Sequence, residues 1–303
     1  MNKNLPLSNI VVLDLTNVLS GPFATQILSD LGAEIIKVEK PNGDDSRKFG
    51  PFIKKRSSYF ISLNRGKKSI VVDFNNEEDK KIFKKLLAIS DVIIDNFKPG
   101  TLEKYGFSSN YLKKNFPLLI QTKISGFGET GPLKENPAYD MIVQAMGGIM
   151  SITGKDKNET YRVGSSIGDI VAGLYAVIGV LTQIIFRNQS KKGSRLDLSM
   201  LDCQVAILEN AIARYSVEKK IPCPLGTDHP SITPFGAFKT LDGTLAIAIG
   251  NNKMFKDFCY SIKNEELHKK KKYENNAKRN KNLSDLRRDI EYQMKKKKNR
   301  LLV

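Results

Sequence analysis

Tryptophan is absent from this chain, and only two histidines and three cysteines occur among its 303 residues. Cys203, Cys223 and Cys259 are spaced too widely for a ligand set, and His229 and His268 do not complete one. A structural zinc site and a disulfide framework are therefore not expected, and the cytoplasm is the natural compartment. No serine sits in a GxSxG elbow and no Cys–His pair is placed for nucleophilic attack, so conventional triads are missing. The first six residues hold no apolar signal core, which argues against secretion. Long apolar runs are also scarce. Only residues 170–186 approach bilayer length, and Gly173, Gly179, Thr182 and Gln183 interrupt that run. It begins at an acid and nothing else matches it, so a helix buried against a sheet is expected rather than a membrane span.

Charge is plentiful and one-sided. The net charge is +17, and residues 261–303 hold 15 Lys/Arg against 6 Asp/Glu. A basic tail can bind nucleic acid or acidic membranes. This one offers only Tyr273 and Tyr292 as aromatics and no binding motif, so solvated surface is expected, with neither nucleic acid nor membrane as partner. A modestly positive surface would still suit a phosphorylated ligand.

The first 125 residues alternate strand and helix patterns, as a doubly wound, mostly parallel α/β sheet requires. Strands are expected at 10–15, 34–39, 69–74, 91–95 and 118–124, with helices at 22–31 and 77–88 and short ones near 101–105 and 111–114. Beyond residue 138 the periodicity turns helical, over 139–150, 169–186 and 201–218, with a strand at 195–199 between the last two. Prolines 222, 224, 230 and 234 with Gly226 break all regular structure before two strands near 237–240 and 245–249. The remainder reads as polar and helical at best.

Gly126-Phe127-Gly128-Glu129-Thr130-Gly131 follows a strand and matches the dinucleotide fingerprint. Pro132 and Pro137 prevent the long helix that must hold the pyrophosphate, so NAD binding is rejected and close backbone approach is expected instead. Lys37, Lys40 and Arg47 lie at and just past a strand's carboxyl end, where open α/β sheets take ligands. Asn64-Arg65-Gly66-Lys67-Lys68-Ser69 is a second basic cluster, either a solvated turn or a phosphate contact. One carboxylate stands out. Asp169 heads the apolar run, and burying it there raises its pKa unless hydrogen bonds or a helix N-terminus offset the cost. Such a poorly hydrated, fixed carboxylate suits nucleophilic chemistry, whereas the plain alternative is a helix N-cap.

The order of these pieces resembles the class III coenzyme A transferases, the CaiB/BaiF group, almost continuously from Leu7 to about residue 260. It rests on Leu13-Asp14-Leu15, Ser20-Gly21-Pro22-Phe23, residues 30–39, Gly43-Asp44-Asp45-Ser46-Arg47, Tyr59-Phe60 and Leu63-Asn64-Arg65. Further matches are Lys68-Ser69-Ile70, residues 91–97 with Pro99-Gly100, Ser125 through Gly128, Tyr139-Asp140, Gln144-Ala145, residues 164–169 and residues 197–202.

The resemblance implies a transferase centred on Asp169. That aspartate would attack an acyl-CoA, giving an acyl-aspartyl anhydride and CoA thiolate. The thiolate would return to form an aspartyl-CoA thioester, which an acceptor carboxylate attacks. Backbone N–H groups in the loop before Asp169 would stabilise oxyanions. By position, CoA contacts map onto Leu19, Ser20, Lys40, Val72, Asp73, Phe74, Asn75, Asn96, Phe97, Lys98, Lys104, Asn136, Pro137, Ala138 and Tyr139. Lys104 replaces an arginine and Pro137 a lysine of the formyl-CoA enzymes, losing a two-pronged contact and a charge. The loop from Gly226 to Gly236 takes the place of the family's active-site cover, which makes His229 either a plain loop residue, the favoured reading, or one near substrate. Coenzyme A and acyl-CoA are then substrates, with no tightly bound cofactor and no metal. Residues 1–220 would form the large CoA-binding domain, and 221–303 a partial small α+β domain with the basic tail.

Two alternatives follow from the same residues. The α-methylacyl-CoA racemases keep the aspartate but need a histidine where this chain has Tyr139, and tyrosine is a poor base at neutral pH. An inactive CoA-binding remnant is the other. The family forms interlocked homodimers and continues past the point where this sequence stops, so a C-terminally truncated member is expected, for which dimerisation is doubtful.

Overall fold

The computed structural model describes residues 5–299. They gather into two compact units. One takes the chain up to Met150 and again Arg162–Lys220; the other takes Ser151–Tyr161 and the described chain from Ile221. The single boundary at 220 does not anticipate that Ser151–Tyr161 clusters with the second unit.

In the first unit, six strands pair in parallel in the order Arg195–Ser199, Ile120–Ser125, Val92–Asp95, Val11–Asp14, Glu34–Glu39, Lys68–Val71. Strands buried on both faces must be apolar at nearly every position, which is why Val11–Asp14 and Val92–Asp95 are each three Val, Ile or Leu residues closed by one acid. Successive side chains point to opposite faces. Val12, Val92, Ile94 and Ile120 enter one core with Ala24, Leu28, Ala172 and Val180, whereas Leu13 and Ile93 enter the other with Phe83, Leu87 and Phe107. Each fully buried Leu, Ile or Phe contributes about 1.5–3 kcal/mol through lost water contact. The strand order reverses direction between Val11–Asp14 and Val92–Asp95, and ligands bind beyond the carboxyl ends at such a switch.

Local chemistry sets the helix ends. Asn76 caps the helix Glu77–Ile89 by accepting from the N–H groups of Glu78 and Asp79, and three acids occupy its first turn. The long helix Ile167–Ser190 is apolar enough by composition to span a bilayer. Here its Ala172, Ala176 and Val180 pack into the core, leaving Leu174, Ile178, Ile185 and Phe186 at the surface. Two expected helices are each divided: Asp140–Met146 and Ile149–Ile152 part at Gly147-Gly148, and Met200–Ala206 and Asn210–Glu218 part where Glu209 turns to positive φ.

The second unit departs most from the sequence reading. Strands Phe235–Lys239 and Thr244–Ala248 form an antiparallel pair. The segment expected to be polar and at best helical carries helices Asn252–Ser261 and Leu283–Met294 around a real core of Phe238, Phe255, Ile262, Leu267, Tyr273, Leu286, Ile290 and Met294. Its apolar residues are sparse in sequence but recur at helical spacing on one face each.

Candidate active site

A cavity of about 570 Å³ opens at the sheet's switch point, and all its lining residues belong to the first unit. Its floor is the carboxyl ends of the central strands: Leu15, Thr16, Asn17 and Val18 from one, and Asn96, Phe97 and Lys98 from its neighbour. Phe74, Tyr105, Ala138 and Tyr139 supply apolar and aromatic walls, and Asp169 stands in the same wall with Met200. Lys40, Lys98 and Lys134 line it as well, Lys40 with its ammonium paired to Asp45 at 2.8 Å. Charged rims around an apolar trough suit a ligand that is phosphorylated at one end and carries a flexible chain at the other.

Asp169 is not the cap of its helix. The helix begins at Ile167 with Ser166 as its cap residue, so Asp169 lies in the first turn. Its carboxyl is pushed up to about 7, first by burial and then by the nearby charge of Asp140, while a hydrogen bond from the Ser20 hydroxyl pulls it down. Capping, the plain alternative for this residue, is thereby set aside.

The loop before Asp169 is held from the other side. Asp140 is buried and accepts the Gly168 N–H at 2.8 Å through one oxygen and the Gln144 amide at 2.9 Å through the other. Gln144 in turn accepts the Val163 N–H at 2.8 Å. With those groups committed, the N–H of Gly168 and of Val163 are closed to an oxyanion.

Opposite Asp169, the segment Thr16 to Ser20 is pinned almost atom by atom. Lys37 donates to the Thr16 carbonyl at 2.7 Å and pairs with Asp44 at 2.9 Å, both side chains 1% exposed. The Asn96 side chain brackets Asn17, accepting its N–H at 2.8 Å and donating to its carbonyl at 2.9 Å. Val18, at φ 68, occupies a left-handed conformation that costs a β-branched residue strain. Beneath lies Asp14, fully buried. Burial would raise its carboxyl, but Lys67 and Lys37 beside it, with hydroxyl bonds from Thr16 and Thr25, hold it far below the usual range.

That geometry decides several expectations. Lys67 is neither a solvated turn residue nor a phosphate contact: its ammonium is buried on Asp14 at 3.0 Å, Thr25 at 2.8 Å, Asn64 at 2.9 Å and the Pro22 carbonyl at 3.0 Å. Arg65 pairs with Asp30 and Lys68 with Glu34. Arg47 grips Glu39 and lies 3.7 Å above the Phe60 ring. The glycine-rich motif is a packing device, for a Cβ on Gly126 would fall 2.4 Å from that of Ala138. Glu129 anchors the loop through its N–H on Asp197 and through Arg195.

Of the expected contacts, Ser20, Lys40, Val72, Phe74, Asn96, Phe97, Lys98, Asn136, Pro137, Ala138 and Tyr139 line the cavity with Asp169. Leu19, Asp73, Asn75 and Lys104 do not. Asp73 and Asn75 bond each other, and Lys104 lies 5.8 Å over Tyr105, which does face the cavity. His229, in the second unit, accepts the N–H groups of Ser231 and Ile232 on its Nδ1. Lys37, marked by its place at a strand's carboxyl end, lines the cavity too, and Asn17, Val18, Asp44 and Lys134 line it without having been singled out as ligand contacts. Tyr59 was missed as well: burial and the charges of Asp169, Asp44 and Asp140 raise its phenol. Only its place in a quoted motif marked it.

A family model described as CoA-transferase family III matches residues 7–302. The acetyl-CoA:oxalate CoA-transferase of Acetobacter aceti is 42% identical over 264 residues, covering 86% of this chain and 68% of its own length. The succinyl-CoA:glutarate CoA-transferase of Homo sapiens is 40% identical over 288 residues, covering 94% of this chain and 66% of its own. The chain thus spans about two thirds of the length of these relatives. A crystal structure of a CaiB/BaiF family protein from Brucella suis superposes with a TM-score of 0.88 at 38% identity, over 98% of this chain and 80% of the other.

Proposed function

This chain belongs to CoA-transferase family III, and on that premise we propose that it moves coenzyme A from an acyl-CoA to a carboxylic acid through covalent intermediates on Asp169. One observation carries the reading: Asp169, a half-buried carboxylate, stands in the wall of a cavity lined by lysines at the sheet's switch point.

The chemistry follows from that placement. A carboxylate stripped of much of its water is a better nucleophile than a solvated one. Its attack on the thioester carbon expels CoA thiolate and leaves a mixed anhydride. The thiolate then attacks the Asp169 carbonyl carbon, releasing the donor's acid and leaving an aspartyl-CoA thioester. An acceptor carboxylate reverses the sequence. Thioester energy is conserved at every step, provided water stays out.

Relatives named for oxalate, glutarate and mesaconate support a dicarboxylic acid as donor or acceptor. Lys40, Lys98 and Lys134 would take the phosphates, Phe74, Phe97 and Tyr105 the nucleotide's apolar faces, and the trough by Ala138 and Tyr139 the pantetheine arm. The exposed apolar face of Leu174, Ile178, Ile185 and Phe186 fits a homodimer, in the cytoplasm.

The test is mass spectrometry after incubation with succinyl-CoA and hydroxylamine. A hydroxylamine-tagged Asp169 peptide, absent without the thioester, is the expected result. Deuterium entering the α-carbon of a branched acyl-CoA would indicate racemisation instead, and neither signal would leave only binding.

A further inference from the structure

We propose that Gln144 is a positioning residue for Asp169, its amide clamping residues 163–165 to Asp140 and so fixing the turn from which the Asp169 carboxyl projects. The inference rests on the transfer reading and deepens it.

The chain needs such a clamp at this place. It re-enters the first unit at Arg162 and reaches Asp169 seven positions later. Between them Arg162, Gly164 and Ser165 are exposed, Val163 and Ser166 only partly buried. A Cβ on Gly164 would meet nothing within 4 Å. Packing holds such a segment weakly, and a segment with few buried contacts opens easily.

Gln144 supplies the hold through hydrogen bonds. It is fully buried in the helix Asp140–Met146. Its Oε1 accepts the Val163 N–H at 2.8 Å, and its Nε2 donates to Asp140 Oδ2 at 2.9 Å. The same NH2 group stands 3.5 Å from the Val163 carbonyl oxygen and 3.4 Å from that of Ser165. Asp140 passes the hold on, for its Oδ1 accepts the Gly168 N–H at 2.8 Å. One chain of bonds thus runs from Val163 through Gln144 and Asp140 to Gly168, the residue before Asp169.

The two side chains can work together because residues four apart share a helix face. The turn lies directly against that face: a Cβ on Gly168 would fall 3.2 Å from Asp140 Oδ1 and 3.4 Å from Val143 Cγ1. An amide accepts at one atom and donates at the other, whereas a carboxylate only accepts. Once Oε1 holds the Val163 N–H, the NH2 group is left for Asp140, and the arrangement has one orientation. That precision matters for a nucleophile. A misplacement of about 1 Å costs on the order of 100-fold in rate.

The experiment follows CoA exchange between succinyl-CoA and glutarate in wild type, Gln144→Met, Gln144→Glu, and Gln144→Glu combined with Asp140→Asn. Binding of CoA, measured by calorimetry, checks the fold. Methionine fills the space without either bond, so kcat should fall about 100-fold while CoA affinity stays near that of wild type. Glutamate keeps the acceptor for Val163 but sets two carboxylates face to face, and kcat should fall as far. The double variant exchanges amide and carboxylate between the two positions. The amide at 140 then gives its oxygen to the Gly168 N–H and its NH2 to the carboxylate at 144, which accepts the Val163 N–H as before. All three bonds return, and kcat should recover about ten-fold or more over Gln144→Glu, which filling of space alone does not predict. A Gln144→Met kcat within about two-fold of wild type, loss of CoA binding in step with the rate, or a double variant no faster than Gln144→Glu would each overturn the role of Gln144 and leave the transfer reading intact. A wild-type protein that binds CoA but performs no Asp169-dependent exchange would overturn both.

Discussion

Gly173 lies one helical turn beyond Asp169, and its missing side chain makes room for the backbone of Ser20: a Cβ there would stand 2.8 Å from the Ser20 carbonyl oxygen and 3.0 Å from the Phe23 ring. The helices Ser20–Asp30 and Ile167–Ser190 therefore cross at a contact only glycine permits. Gly173→Ala should push them apart, destabilising the protein by about 1–3 kcal/mol, as overpacking does. Urea denaturation measures the loss.

On the proposed mechanism Asp169 sets the pH dependence of turnover, because only its ionised form would attack and burial pushes its carboxyl up to about 7. kcat/KM should rise with pH through about 7 and level off above it. Asp140→Asn keeps an oxygen for the Gly168 N–H but removes the neighbouring charge, so the acid limb should move to lower pH. A limb that stays in place would mean burial alone raises the carboxyl.

Stability should carry the same signature with a definite sign. The folded-state pKa of Asp169 lies above the ordinary carboxyl value, so between about pH 4 and 7 the native state holds a proton that the unfolded chain has lost. Stability from this group falls as pH rises through that window. Asp169→Asn removes the dependence. Its melting temperature should match wild type near pH 4 and exceed it near pH 8, while exchange is abolished; equal melting temperatures at pH 8 would contradict a buried, reluctant charge.

Lys67→Met should be among the most damaging changes in the first unit. It leaves Asp14 fully buried with one of its two ammonium neighbours gone and strands the Thr25 and Asn64 contacts, a loss of about 3–5 kcal/mol. Lys67→Met with Asp14→Asn should recover part of it, since the uncompensated charge is removed. Chemical denaturation of the single and double variants separates the pair from plain packing.

Much of the fold was legible because strands buried on both faces are apolar at nearly every position, as in Val11–Asp14 and Val92–Asp95. Glu34–Glu39 and Arg195–Ser199 carry charged residues but still begin and end where expected, and the parallel order follows from the intervening helices. Asp169 stood out as a lone carboxylate before a long uncharged run, but that pattern also suits a plain helix N-cap, and the surrounding motifs pointed to more. The second unit was misread because its core residues, among them Phe255, Leu267 and Ile290, are diluted by lysine and asparagine on the outward faces.

Sequence alone determined the sheet, the helix that bears Asp169 and the family to which these motifs point, since each depends on patterns within a few neighbouring residues. Tertiary structure decided which charges stand at the cavity. Lys67 and Lys40 are alike as residues, yet one lies buried against Asp14, 53 positions earlier in sequence, and the other pairs with Asp45 in the cavity wall. A side chain's charge is local, but what neutralises it is set by which strands and helices the folded chain brings together.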